Sequence, residues 1–455
     1  MGKLKMMKLS HMNKYYLALA AGLMLVGNVQ AQDTLKIDFR QAVDLALEAN
    51  VDYQVLSNNM EVLKLQKQSA LLSHLPDANF STSFSQQTGP QTQQIGDEFV
   101  VVNVKNERVN AGLNMNMPIF NSGRRILDTQ SAKLAYEAGE KGLDRASQQV
   151  VFDVARRYLQ VLLDEELVRI SVENLENQKE TLRQIEGFVE AGLRTLSDKY
   201  NQQSEVARLE SVLVDAELQF ENDIWDLSEY LQLEPGVIPV LAAVDVDDLP
   251  LRFEGMDMVD LYDLAKQNRA DKVQQKLLVD SYKKDMQAIK AAYYPRLDAF
   301  FNYNTFYTSL GSESLQDQLL NIYPQNSIGL NLTIPIFNNF RNRLSVSQSR
   351  VAYKNQILQK ESLDRKIYQD VKLAHQNYLA AVRKEQNTAI QMMAAQEAQK
   401  AISERFRLGI SNFVDLSTAN QQLVSAQADQ AQAIYTLFFQ EVLMQHALGT
   451  LEIQD

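Results

Sequence analysis

Apolar residues recur along this chain in two rhythms. Around residues 78–85, Ala78, Phe80, Thr82 and Phe84 alternate with Asn79, Ser81, Ser83 and Ser85. Around 109–117, Val109, Ala111, Leu113, Met115 and Met117 alternate with Asn110, Gly112, Asn114 and Asn116. A period of two predicts strands with one face for apolar surroundings and one for water. The polar stretch from about Gln86 to Glu98 reads as the loop that makes them a hairpin. On either side the rhythm is helical. Asp38 can cap a first turn that Gln41 answers, and Ala42, Leu45, Ala46, Val55, Val62 and Leu65 carry one amphipathic helix to Leu75-Pro76, where the residue before proline turns extended. From Asn121 to Ala191 there is no proline and there are four glycines, which predicts a helix of about 105 Å at 1.5 Å per residue. Val168, Val172, Leu175, Leu182 and Val189 mark a heptad seam along it. The chain turns at Gly192, returns through Val206, Leu209, Leu213, Ala216 and Phe220, and ends this leg near Glu234-Pro235-Gly236.

The whole pattern is then written again. Gly112-Leu-Asn-Met-Asn-Met-Pro-Ile-Phe-Asn121 returns as Gly329-Leu-Asn-Leu-Thr-Ile-Pro-Ile-Phe-Asn338 at an offset of 217, with seven of ten positions identical. A repeat of architecture outranks any local motif. Asp257 to Asp271 matches Asp38 to Asp52 at an offset of 219, and Tyr294-Pro295 stands where Leu75-Pro76 stood. A strand from Leu297 to Tyr307 is more aromatic, with Phe300, Phe301, Tyr303, Phe306 and Tyr307. A loop at about 308–325 leads to Ile328, Leu330, Leu332 and Ile334, alternating with Ser327, Gly329, Asn331 and Thr333. A second long helix runs from about Asn339 to Leu408, turns at Gly409 and returns through Leu416, Ala419, Leu423, Ala426, Ala433 and Leu437. The turn glycines keep the offset of 217, so both long helices reach equally far from the strands.

The expected organisation is a signal peptide at 1–31, a first repeat at 32–236, a linker at 237–255 carrying Pro239, Pro250 and the acids Asp245, Asp247 and Asp248, and a second repeat at 256–455. Lys3, Lys5, Lys8 and Lys14 before an apolar run, with Val29-Gln30-Ala31 as a cleavage site, carry the signal assignment. Without residues 1–31 the 45 basic and 57 acidic residues become 41 and 57, net −16, which argues against nucleic-acid binding. No cysteine occurs, so disulfides, thiolate metal sites and cysteine nucleophiles are excluded. The three histidines beyond the signal, His74, His375 and His446, have no metal or triad spacing. No cofactor and no enzymatic constellation are expected. No apolar run beyond the signal spans a bilayer as a helix, but transmembrane strands need only about 9–11 residues that are apolar at every second position.

Four strands with one apolar face cannot close, and open edges in lipid leave unpaired backbone groups. Several chains must therefore combine into a barrel, which the long helices continue as a tube with a polar lumen. These features, with Phe406-Arg-Leu-Gly409 followed by Asp415 and the closing Ala447-Leu-Gly-Thr-Leu451, resemble the TolC family of outer-membrane efflux proteins. The fold class is then mainly α with a β-hairpin pair per repeat. The resemblance implies a homotrimer with a 12-stranded transmembrane β-barrel continued by a long periplasmic α-helical barrel. It further implies an outer-membrane exit duct for small molecules, reached through a periplasmic adaptor protein from an inner-membrane pump. A type I protein secretion duct and a non-conducting periplasmic coiled-coil scaffold are the alternatives.

A duct needs a gate and a docking tip. Asp198 and Asp415 each lie six residues beyond a turn glycine. In a trimer each would form a ring of three carboxylates that favours cations; otherwise they are exposed caps or partners of Arg194, Arg405 or Arg407. Thr418 and Phe406 join them as gate candidates. Some family members carry a second acid at the Thr418 position, and Tyr and Arg where this chain has Phe406 and Ser411, which implies other closing contacts here. Gly192, Leu193, Gly409 and Ile410 form the expected adaptor-docking tip, where glycine also permits a left-handed backbone.

Overall fold

The computed structural model describes residues 34–244 and 251–451. The expected signal at 1–31 and the linker acids Asp245, Asp247 and Asp248 lie outside these residues. In chain order the elements are β1 (Thr34–Ile37), α1 (Phe39–Ala49), α2 (Val51–Leu72), β2 (Asp77–Ile95), β3 (Glu98–Phe120), α3 (Arg124–Glu190), α4 (Leu196–Tyr230) and β4 (Ile238–Leu241). The second half gives α5 (Met258–Asn268), α6 (Ala270–Lys290), β5 (Arg296–Thr308), β6 (Gln325–Thr333), α7 (Arg341–Arg407) and α8 (Phe413–Leu448).

The expected single helix at the start of each repeat is two helices. The capping box is present: Gln41 N donates to Asp38 Oδ1 at 2.7 Å and Asp38 N to Gln41 Oε1 at 3.2 Å. The helix then breaks at Asn50, whose φ of −65° and ψ of 113° leave the helical region while its side chain caps α2 by accepting from Tyr53 N at 2.9 Å. Arg269, 219 residues on, adopts φ −66° and ψ 114° without a side-chain cap.

The first hairpin differs from expectation in its length. The stretch 86–98 is ladder and not loop: β2 and β3 stay in register from Asp77↔Asn116 to Ile95↔Glu98, and the chain reverses over Gly96-Asp97, where Gly96 has φ 65°. Residues 86–94 of β2 carry no large apolar side chain, so the period-two signal vanishes there while the backbone pairing continues. In the second hairpin the expected loop contains a helical turn, Leu315–Asp317, and a π turn, Gln318–Ile322, and β6 stops short of Ile334. The last β5–β6 pair is Asn304↔Gln325, which would leave the edge of β5 bare above it. Gln318 covers that edge: its Oε1 accepts from Thr308 N at 3.0 Å and its Nε2 donates to Thr308 O at 3.1 Å. A side-chain amide here stands in for a strand residue.

All four long strands form one antiparallel sheet in the order β2-β3-β5-β6, so the β3–β5 pairing joins the two repeats. Cross-strand partners place Phe80, Leu113 and Tyr303 on one face, and Asn79, Asn114 and Asn302 on the other. β2 and β6 remain open edges.

Helices α3 and α7 have 67 residues each, about 100 Å. Near the sheet α2 and α6 flank α3, and α6 also packs on α7; beyond the middle, α4 and α8 flank α3, and α8 packs along α7. Ala419, Ala426 and Ala433 are buried on α8 and allow close approach. Along α3, Leu175 is buried and Leu182 and Val189 are half-buried as expected, but Val172 is 42% exposed. Ile170, Gln178 and Ile185 take seam positions instead, because the inward face of a helix with 3.6 residues per turn drifts relative to a strict heptad.

The core lies midway along the long helices, where α1 and α5 pack on them. One cluster gathers Ile37, Val43, Tyr158 and Leu227; the other gathers Leu261, Ile367, Tyr378 and Met444. Part of the 237–255 stretch is the strand β4, parallel to β1, and the Tyr158 hydroxyl donates to Ala242 O at 2.8 Å beside it. Arg269 is buried at the junction, pairing with Asp271 at 2.6 Å and Asp370 at 3.1 Å. Gly449 closes α8 with φ 74°, and a Cβ there would meet Arg269 Cα at 2.8 Å, so the Ala447-Leu-Gly-Thr-Leu451 ending is a close approach of backbones. His446 stacks on Phe152 at 4.7 Å, and burial, with Arg145 and Arg269 nearby, lowers its imidazole to about 3.

Candidate functional site

At the far end of the helices two hairpin turns lie side by side. Each closes by the same local chemistry. Gly192 (φ 74°) donates to Val189 O and Leu193 N to Phe188 O; Gly409 (φ 75°) donates to Phe406 O and Ile410 N to Arg405 O. These are the paired bonds that end a helix on a left-handed residue. Both turns leave apolar residues in solvent: Leu193 is 71% exposed and Ile410 63%. Leu196, Leu408 and Val414 beside them are exposed as well.

The two acids differ. Asp198 closes a capping box at the start of α4: its Oδ2 accepts from Thr195 N at 3.2 Å and from Thr195 Oγ1 at 2.9 Å. Asp415 sits at the same place on α8, where Asn412 is the cap and accepts from Asp415 N at 2.9 Å. The Asp415 carboxylate is exposed and has no hydrogen bond or ion pair among the described residues. Thr418, also exposed, follows three residues later and so shares its face of the helix. None of the expected arginine partners reaches either acid: Arg407 pairs with Glu404 at 2.7 Å, and Arg194 turns to the other hairpin.

Phe406 lies buried between the hairpins. It packs with Ile185 and Leu416, the Arg194 guanidinium rests 4.1 Å from its ring centroid, and Arg194 Nη2 donates to its carbonyl at 2.7 Å. The side chain therefore serves as a wedge within the protomer, with Arg194 as its clamp. Arg194 thus engages an aromatic ring and a carbonyl and not an acid.

Above the tip, side-chain amides link the helices. Gln202 Nε2 donates to Gln178 O at 2.9 Å and Oε1 at 3.0 Å, Asn420 Nδ2 to the same Gln178 Oε1 at 3.3 Å, and Gln399 Nε2 to Asn420 Oδ1 at 3.0 Å. One chain of amides thus ties α3, α4, α8 and α7. The sequence signal was a polar residue, Gln178, between Leu175 and Leu182 in the seam, a placement that fixes register at some cost in stability. Among the described residues no group of three or more acids and histidines could hold a metal.

The sequence profile of the outer membrane efflux protein family matches residues 42–231 and 261–450. The outer membrane protein TolC of Vibrio cholerae is 23% identical over 361 residues, spanning 77% of this chain and 79% of that protein. TolC of Escherichia coli K12 is 22% identical over 359 residues, spanning 77% and 71%. Among solved structures the outer-membrane channel OprN matches with a TM-score of 0.75 at 19% identity, covering 90% of this chain and 89% of that one.

Proposed function

We propose that this chain, which belongs to the outer membrane efflux protein family, forms as a homotrimer the passive exit duct of a tripartite efflux system. It is a protein of the outer membrane that extends into the periplasm, and members of its family are channels, not enzymes. The observation that carries the proposal is a sheet with one apolar face and two open edges, joined to two helical hairpins of matching length. Edges in lipid must be paired, and three copies of four strands would make a barrel of twelve. The polar face then lines a lumen that the helices continue across the periplasm. The exposed leucine and isoleucine at the turns suit a periplasmic adaptor, which would connect the duct to an inner-membrane pump expelling small molecules. Asp415, whose carboxylate has no partner among the described residues, is the one that would project into a narrowing lumen, with Thr418 one turn away. Asp198 would serve its hairpin and not the lumen. The chain itself would do no covalent chemistry and need no cofactor.

Single-channel conductance in a planar bilayer, with oligomer size measured on the same preparation, tests this. The expected result is a cation-selective trimer that loses selectivity or gains conductance in Asp415→Ala. A monomer that neither inserts nor conducts would leave only a coiled-coil scaffold.

A further inference from the structure

The polar face of the sheet holds two rings that the duct reading does not use. By register Phe300 stands opposite Asn116 and Gly329, and Phe306 opposite Asn110, so both lie among polar residues. The equivalent positions of β2, at an offset of 219, are Ser81 and Gln87. Phe300 covers Gly329, where an added Cβ would meet its ring at 2.6 Å. Phe306 is instead part of a stack. Tyr323, just after the π turn, lies parallel to it with centroids 4.2 Å apart and planes at 16°. The Arg108 guanidinium lies 4.6 Å from the same ring.

Arg108 is exposed and sits between Ser85 on β2 and Thr308 on β5. Its neighbour Glu107 points to the opposite face, as alternation requires, and pairs with Lys105 at 2.8 Å. Among the described residues the Arg108 guanidinium has a ring contact and no acid or hydrogen-bond acceptor. A guanidinium held by an aromatic face keeps its planar fork of N–H donors available for a carboxylate or sulfonate. Val109 is the last apolar residue of β3 on the lipid-facing side before Glu107 and Lys105, so this fork lies at the outer boundary of the barrel.

We propose that Arg108, Phe306 and Tyr323 form a binding point for planar aromatic anions at the outer mouth of the lumen, one per chain. Phe306, backed by Tyr323, would hold the guanidinium in place; its N–H edge would take the anionic group and its outer face the ligand's ring. The proposal rests on the duct reading for the meaning of that face as a lumen, and its test separates the two. Binding of 2-naphthalenesulfonate to the intact protein in detergent is measured by calorimetry, alongside its block of current in planar bilayers.

Saturable binding is expected, weakened about tenfold in Arg108→Gln, as loss of one charge-assisted hydrogen bond implies, and several-fold in Phe306→Leu. Methanesulfonate, which has no ring, should compete poorly. Unchanged affinity in Arg108→Gln, or equal binding of a naphthyl trimethylammonium cation, would overturn the site. Arg108 is exposed, so its variant should keep oligomer size and melting temperature; Arg108→Lys, which keeps charge but not the planar fork, should bind at an intermediate level. Conductance without binding would sink this site alone, and binding without conductance the duct alone.

Discussion

The two helical hairpins share a backbone plan and differ in the chemistry that holds it. In the first, Gln178 and Gln202 meet across α3 and α4; 217 residues later the second has Ala395 and Ala419. The first ties its acid, Asp198, into a capping box, while the second leaves Asp415 free. At the kinks Asn50 caps its own helix, whereas Arg269 is a buried cation held by Asp271 and Asp370. Even the clamp runs one way, since Arg194 grips Phe406 but the equivalent of Arg194 in the second repeat is Ser411. Duplication fixed the geometry, and each copy then satisfied it by its own means. The copies are therefore not interchangeable, and substitutions at equivalent positions should separate them.

The largest separation is expected at the kinks. Arg269→Ala removes the main partner of two carboxylates, leaving the mostly buried Asp271 only Arg145 at 4.0 Å, and should cost about 3 kcal/mol, whereas Asn50→Ala loses a cap worth about 1 kcal/mol. Thermal unfolding of the two variants in detergent compares them, and equal losses would break the contrast. Next is the tip. Phe406→Ala removes a buried ring and should cost about 3 kcal/mol, visible as faster hydrogen exchange at both turns; Arg194→Ala should loosen the same region less. If exchange rose in the second hairpin alone, Phe406 would not be a wedge between the two.

The acids provide a smaller and more specific test. Asp198→Asn should lower stability by less than about 1 kcal/mol, since an Asn side-chain oxygen can still accept from Thr195 N, and leave ion selectivity alone. Asp415→Asn should reduce cation selectivity without a loss of stability. A selectivity change in Asp198→Asn and none in Asp415→Asn would reverse the assignment.

The last contrast depends on pH. Asp164 on α3 is buried, and that burial together with the adjacent Asp223 raises its carboxyl to about 7. The second repeat has Ala381 and Gln440 at these positions. A carboxyl raised on folding adds stability at low pH that is lost as pH climbs from about 4 through 7. Asp164→Asn should remove this loss and raise the melting temperature at pH 8 by a few degrees, with little change at pH 4.

Much of the plan was legible in the chain. Strand alternation, the cap at Asp38, the turn glycines and the equal reach of the long helices all depend on residues a few positions apart, and so leave a periodic or positional trace. The kinks were not legible, because Asn50 and Arg269 sit inside unbroken helical rhythm. Nor was the length of the first hairpin, since residues 86–94 of β2 carry no apolar alternation.

The sequence by itself determined two units, one-faced strands and helices ending in matched turns, because local hydrogen bonding and periodic burial act over a few residues. Tertiary structure alone decided that β3 pairs with β5, that β1 finds β4, that Phe406 is a wedge, and that Arg194 turns to a carbonyl 212 residues away. Those choices rest on contacts between distant segments, whose partners no local pattern names.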